Sequence, residues 1–108
     1  MYIHGATIKD AGVFEKVAGF EWDEGNKGKN WDKHKVRDEE CEELFFDHDK
    51  KILKDILHSG KEKRYIIIGK TKKQRPLFAA FTIRKDKVRI ISARDLNKKE
   101  YKYYEEEV

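Results

Sequence analysis

One cysteine, one proline and one methionine in 108 residues leave this chain few of the devices that small proteins use in place of a large core. A lone Cys41 cannot close an internal disulfide, which excludes a disulfide-stapled scaffold and agrees with a reducing compartment. No hydrophobic run approaches the roughly 20 residues that span a bilayer, and the start MYIHGATIKD lacks the apolar stretch of a signal peptide. The expectation is a cytoplasmic protein with no membrane partner. The histidines at 4, 34, 48 and 58 have no zinc-like spacing, and His48 in FFDHDK reads as part of an exposed turn, so no metal and no cofactor are expected. A P-loop, a dinucleotide-type glycine pattern and a GxSxG nucleophile motif are missing as well.

What the chain has in quantity is charge. Charged residues make up 43% and hydrophobic residues 38%, so the core must be lean, and a 12% share of aromatics, each burying a large area, makes up for it. That balance describes one small globular domain with a charged exterior, not a disordered chain. The charge is also unevenly placed. Lys61 to Lys102 hold fifteen Lys/Arg against four Asp/Glu, net +11, whereas residues 1 to 60 hold ten against fourteen, net −4. A basic second half of this kind is the electrostatic footprint of a polyanion-binding surface, and nucleic acid is the commonest polyanion.

Periodicity divides the chain into an α+β order. Residues 1–19, with three glycines and little pattern, read as an N-terminal extension, and 20–108 as a single domain. Phe20 to Asp23 is a brief strand. Asn26 to Phe46 turns helical, as two helices broken near Lys35 to Arg37, with Asp38 as the N-cap of the second. Cys41, Leu44 and Phe45, at i, i+3 and i+4, form the inward face of that helix and mark Cys41 as a structural thiol. The second half reads as a mostly antiparallel, twisted sheet: Lys63–Lys70, Leu77–Arg84 and Lys87–Arg94, with a weaker strand in ILKDIL at 52–57 and Pro76 in the turn TKKQRP. A last helix starts near Asn97, where Asn97 and Glu100 have capping-box spacing and Tyr101, Tyr104 and Val108 share a face.

If Lys85 and Asp86 form a two-residue hairpin loop, Arg84 pairs with Lys87, Thr82 with Arg89, Ala80 with Ile91 and Phe78 with Ala93. Phe81, Ile83, Val88 and Ile90 then line an apolar face, while Thr82, Arg84, Lys87 and Arg89 share a basic one. In that register Arg94 falls at the far end of the apolar face, where it can reach round the edge or pair with an acid such as Asp23.

The stretches FEWDEGNKGKNWDKHKV, EECEELFFD and TIRKDKVRIISARDLNKKEYKYYEE, in this order, resemble the BrnT family of type II toxin–antitoxin toxins, from about Phe20 to Glu106. The resemblance implies a RelE-like fold and an endoribonuclease that arrests growth by cutting RNA. It also implies a BrnA-like ribbon-helix-helix antitoxin, a 2:2 complex built through that antitoxin, and DNA contact only through it. The first nineteen residues depart from the family pattern.

Metal-free cleavage by the RNA 2′-hydroxyl needs a proton acceptor, a proton donor and cations around the phosphorus. Arg84, Arg89 and Arg94 supply cations but cannot be bases, which leaves His34, Glu100 or a lysine of depressed pKa for proton transfer. Glu100 has a competing structural role in the capping box. Lys33, Arg89, Lys98 and Lys99 are candidate phosphate contacts. Tyr104 is a candidate base-stacking residue whose spacing equally suits packing of the terminal helix. The alternative from another class is a non-catalytic basic module that binds RNA or DNA.

Overall fold

The computed structural model describes residues 17–58 and 60–106; the expectations for residues 1–16 and for Val108 lie outside the described residues. The elements run β1 (Gly19–Phe20), α1 (Lys29–His34), α2 (Asp38–Glu43) with a 3-10 turn at Leu44–Phe46, β2 (Lys51–Lys54), β3 (Arg64–Lys70), β4 (Pro76–Arg84), β5 (Lys87–Asp95) and α3 (Lys98–Glu105). The strands make one five-stranded sheet in the order β1-β5-β4-β3-β2. β1 lies parallel to β5 and the other neighbours are antiparallel. The α+β class and element order are those read from the sequence.

Each element follows from local chemistry. Gly28, at φ 72°, turns the chain into α1, and Lys35, at φ 54°, ends it in the left-handed conformation. Asp38 does not cap α2 as expected. Arg37 occupies the cap position, with its backbone N–H donating to Glu40 Oε1 at 3.0 Å. Asp38 instead accepts the Gly28 N–H at 3.1 and 3.2 Å, so its carboxylate ties the start of the preceding helix. The two helices are shorter than their periodicity suggested, and the first strand covers Gly19–Phe20, not Phe20 to Asp23. Pro76 opens β4, where a missing N–H costs nothing, instead of sitting in the turn before it.

The sheet divides the core in two. On the first face Val36, Cys41 and Leu44 pack against Ile67, Phe81, Val88 and Ile90. Phe45 presents an edge to Phe81 at 5.1 Å, and Phe20 to Phe45 at 5.3 Å, which extends this core toward β1. On the second face α3 lays Tyr104 over Leu53, Ile66, Ile68 and Phe78. That helix is fixed at both ends. Asn97 Oδ1 accepts the Glu100 N–H and Glu100 Oε1 accepts the Asn97 N–H, completing the expected capping box, while Lys51 Nζ donates to the carbonyls of Tyr103 and Glu106.

The hairpin begins as read and then departs. Arg84 faces Lys87, Ile83 faces Val88 and Thr82 faces Arg89. A β-bulge follows: Phe81 pairs with Ile90 but Ala80 pairs with Ser92, leaving Ile91 as the extra residue. Two buried asparagines satisfy the outer edge of β5 here. Asn26 Nδ2 donates to the Ile90 carbonyl at 3.0 Å, and Asn30 Oδ1 accepts the Ala93 N–H at 2.9 Å. Beyond the bulge every side chain changes face relative to the uninterrupted register. Phe78 therefore faces Arg94, not Ala93, and Arg94 lies on the second face, not the apolar first one. Its guanidinium sits 4.1 Å from the centre of the Phe78 ring and pairs with Glu100; Asp23 pairs with Arg89.

Candidate functional site

On the second face α3 packs over Leu53, Ile66, Ile68 and Phe78 and reaches β5 through the Glu100–Arg94 pair, all away from the hairpin end, which is left open as a cleft. There the register aligns Arg64 on β3, Thr82 on β4 and Arg89 on β5 in one cross-strand row, with Arg84 the next residue of that face along β4. Alternation of side chains makes these neighbours. The β2–β3 loop closes one side of the row with His58, Gly60 and Glu62, and the β1–α1 loop closes the other with Gly25 and Asn26. Together they enclose a cleft of about 430 Å³.

Two cations of this cleft, Arg84 and Arg89, are held by carboxylates. Arg84 Nε and Nη2 donate to the two Glu62 oxygens at 2.6 and 3.0 Å, and Glu21 stands 3.9 Å from Arg84 Nη1. Arg89 donates to Glu21 at 2.9 Å and to both Asp23 oxygens at 2.8 and 3.0 Å. The hydrogen bond from Arg89 holds the Asp23 carboxyl below its usual range, and the hydrogen bond from Arg84 does the same for Glu62. A Cβ at Gly25 would lie 2.6 Å from Arg89 Nη2, so a side chain there would displace the guanidinium end of Arg89. Arg84 stays half exposed, whereas the Arg89 side chain is only 13% exposed. Arg84 is thus the more easily released of the two.

His58 brings a titratable ring to the same cleft. Its Nδ1 lies 3.1 and 3.0 Å from the two Asp55 oxygens, and its backbone N–H donates to Asp55 Oδ1 at 3.3 Å. Asp55 is 5% exposed and is anchored by its own N–H, which donates to the Arg64 carbonyl at 2.8 Å. The loop is further tied down by Thr82 Oγ1, which donates to the Lys63 carbonyl at 2.8 Å. A buried acid therefore orients an exposed imidazole through Nδ1, leaving Nε2 for other partners.

The residues singled out from the sequence fall into two groups. Arg84 and Arg89 share the cleft. His34, Arg94, Lys98, Lys99 and Glu100 belong to the other end of the sheet. Arg75 joins that end together, donating to the carbonyls of His34 and Lys35 and to Asp95, whose strand partner is Leu77. From Leu77 to Arg84 the strand advances about 23 Å. The structure thus does not bring His34 and Arg84 into one site. Lys33 is exposed on α1. Glu100 is fully buried with both oxygens accepting from Arg94 at 2.8 Å, and Tyr104 is buried with its hydroxyl donating to Asp47 Oδ2 at 2.7 Å. Both side chains are committed to holding α3.

Sequence reasoning passed over Asp55, His58, Glu62 and Arg64. The available signal was an acid three residues before a histidine in DILH, within a loop that joins two strands and so returns to the sheet end. Reading the histidines for zinc spacing alone obscured it. Among the described residues, no three His, Cys, Asp or Glu side chains converge as ligands for a metal ion, and no helix is long and apolar enough to cross a membrane.

A protein-family model described as the ribonuclease toxin BrnT of type II toxin–antitoxin systems matches residues 22–100. The matched span includes every cleft residue named above except Glu21. No curated protein matches the chain.

Proposed function

The chain belongs to the BrnT family of ribonuclease toxins of type II toxin–antitoxin systems, and we propose that the cleft at the hairpin end of its sheet is where it binds and cuts RNA. The observation that carries this reading is the convergence of Arg64, Arg84 and Arg89 on one open face beside an oriented histidine. Planar guanidinium groups match the oxygens of a phosphodiester and stabilise negative charge that grows on phosphorus. The carboxylates of Glu21, Asp23 and Glu62 occupy Arg84 and Arg89 in the free protein, and an RNA phosphate entering the cleft exchanges with them. Arg84, with its half-exposed pair, is the first to exchange. The reaction uses these arginines in place of a metal ion. Lys33, Lys98 and Lys99, exposed on α1 and α3, extend the basic surface for flanking phosphates.

Neutralisation falls to an antitoxin of the BrnA type with a ribbon-helix-helix domain, which covers the basic face, joins two toxins in a 2:2 complex and makes the DNA contacts. The toxin domain is residues 20–108, with residues 1–19 as an extension, and it acts in the cytoplasm.

The test is induction of the wild-type protein and an Arg84→Ala variant in cells without antitoxin. It is followed by incubation of both purified proteins with total RNA in chelator, with and without translating ribosomes. Growth arrest and RNA cleavage by the wild type, both weakened by the substitution, are expected. RNA that is bound but left intact in every setting identifies a non-catalytic binding module instead.

A further inference from the structure

The geometry points to His58 and Glu62 as the proton-transfer pair of the cleft, with Glu62 accepting the proton of the RNA 2′-hydroxyl, His58 donating one to the leaving 5′-oxygen, and Asp55 positioning His58. This inference rests on the ribonuclease reading and assigns its chemistry to residues on one loop.

Three observations support the assignment. Both side chains line the cleft that holds Arg64, Arg84 and Arg89, and both come from the loop between β2 and β3. The His58 ring is exposed but not adrift, because Asp55, buried at the end of β2, accepts from Nδ1 through either oxygen. With Nδ1 so engaged, a protonated ring presents only Nε2–H to a substrate. Glu62 is joined to Arg84 by two hydrogen bonds, which keep it in the carboxylate form at neutral pH and so unable to begin as an acid. The two roles are therefore not interchangeable. Of the pair, the carboxylate starts as acceptor and the imidazolium as donor.

The reaction balances without water, metal or redox partner. As a phosphate takes over the Arg84 guanidinium, the released Glu62 oxygen accepts the 2′-hydroxyl proton. The 2′-oxygen forms a bond to the adjacent phosphorus, and the charge on the equatorial oxygens is met by Arg84 and Arg89. The bond from phosphorus to O5′ breaks with its electron pair on O5′, and that oxygen takes the proton from His58 Nε2. The products are a 2′,3′-cyclic phosphate and a 5′-hydroxyl end. Asp55 does not touch substrate; it acts through the ring it holds.

The experiment first maps a cleavage position for the wild-type protein, on free RNA or on mRNA at translating ribosomes. It then compares His58→Asn, Asp55→Asn and Glu62→Gln on that RNA and on the same RNA with sulfur replacing the bridging 5′-oxygen. A thiolate leaves without a proton, so only the loss of an acid is repaired by it. On ordinary RNA each variant of a group that transfers a proton is expected to lose about 10²- to 10⁴-fold in rate. On the sulfur substrate His58→Asn and Asp55→Asn recover to within about tenfold of wild type, and Glu62→Gln does not. Thermal melts are expected to stay near wild type. Affinity for a non-cleavable RNA carrying a 2′-deoxy sugar at the mapped position is expected to stay near wild type for His58→Asn and Asp55→Asn and to be no weaker for Glu62→Gln, which frees Arg84. Chemistry is thereby separated from folding and binding. Undiminished cleavage by His58→Asn, or an equal loss on both substrates, overturns the assignment while leaving the ribonuclease reading intact. Absence of cleavage by the wild type in both settings overturns the ribonuclease reading, and the assignment with it.

Discussion

Arg94 clamps the fully buried carboxylate of Glu100 with two hydrogen bonds of 2.8 Å, one to each oxygen, while its guanidinium lies over the Phe78 ring. The same Glu100 oxygen that meets Arg94 Nη1 also accepts the Asn97 N–H, so one carboxylate joins β5 to the first turn of α3. Removing one partner of such a pair leaves a charge inside the protein with nothing to balance it. Arg94→Ala is therefore expected to lower stability by about 3 kcal/mol, near the low end for a buried pair because Arg94 is partly exposed. Denaturant unfolding measures this. An unchanged midpoint contradicts a structural role for the pair.

Arg84 offers the contrasting case. Its pair with Glu62 is half exposed on both sides, and solvent screening leaves such an exposed ion pair little weight in stability. Arg84→Gln should leave the melting temperature nearly unchanged while weakening RNA binding. The slope of log affinity against log salt should fall by about 0.7, the value for one phosphate contact on a single strand. Titrations of a non-cleavable RNA at several salt concentrations decide this, and a slope equal to wild type removes Arg84 from the phosphate-binding surface.

His34 lies at the end of the sheet remote from the cleft, where its carbonyl accepts from Arg75 and its side chain is exposed. His34→Ala is expected to keep RNA cleavage within about twofold of wild type, since surface changes of this kind shift stability by no more than about 0.5 kcal/mol. Parallel assays of His34→Ala and wild type on one RNA are sufficient.

Asp47 gives a stability term that depends on pH. Burial alone raises its pKa, but hydrogen bonds from the Tyr104 hydroxyl and from the backbone N–H groups of Lys70 and Asp49 outweigh burial and lower it from 3.8. A carboxyl whose folded pKa lies below its unfolded one stabilises the fold fully above the unfolded value and loses that contribution as pH falls through the folded value. Unfolding midpoints measured from pH 6 down to pH 2 should therefore fall more steeply below about pH 4 in wild type than in Asp47→Asn. Parallel curves contradict this assignment.

Cys41 is fully buried, and burial, reinforced by Asp38, Glu40 and Glu42, pushes its thiol up to about 12 from 9.0. Only the thiolate is nucleophilic, so alkylation of the folded protein at pH 8 should run at least roughly a thousandfold slower than that of the unfolded chain. Mass spectrometry of time points with and without denaturant reads this directly. Rapid labelling of the native protein contradicts a closed first-face core.

The sequence by itself determined the order of elements, the two-residue hairpin at Lys85 and Asp86, the capping box of Asn97 and Glu100, and the inward face of Cys41 and Leu44. These features depend on interactions between residues within a few positions of each other, which periodicity and capping chemistry report. The family resemblance was legible too, because its motifs are contiguous. Only the tertiary structure decided which face Arg94 occupies. That depends on the bulge at Ile91, whose flanking backbone groups are satisfied by Asn26 and Asn30, side chains more than 60 positions away in the chain. The cleft was hidden for the same reason. Arg64, Arg84 and Arg89 meet because three strands align in register, and His58 and Glu62 join them because a loop folds back across the sheet end. Basic residues spread over the second half of the chain announce a surface for a polyanion. Where that surface concentrates into a site is set by strand register and long-range packing, and neither is written in any local window of sequence.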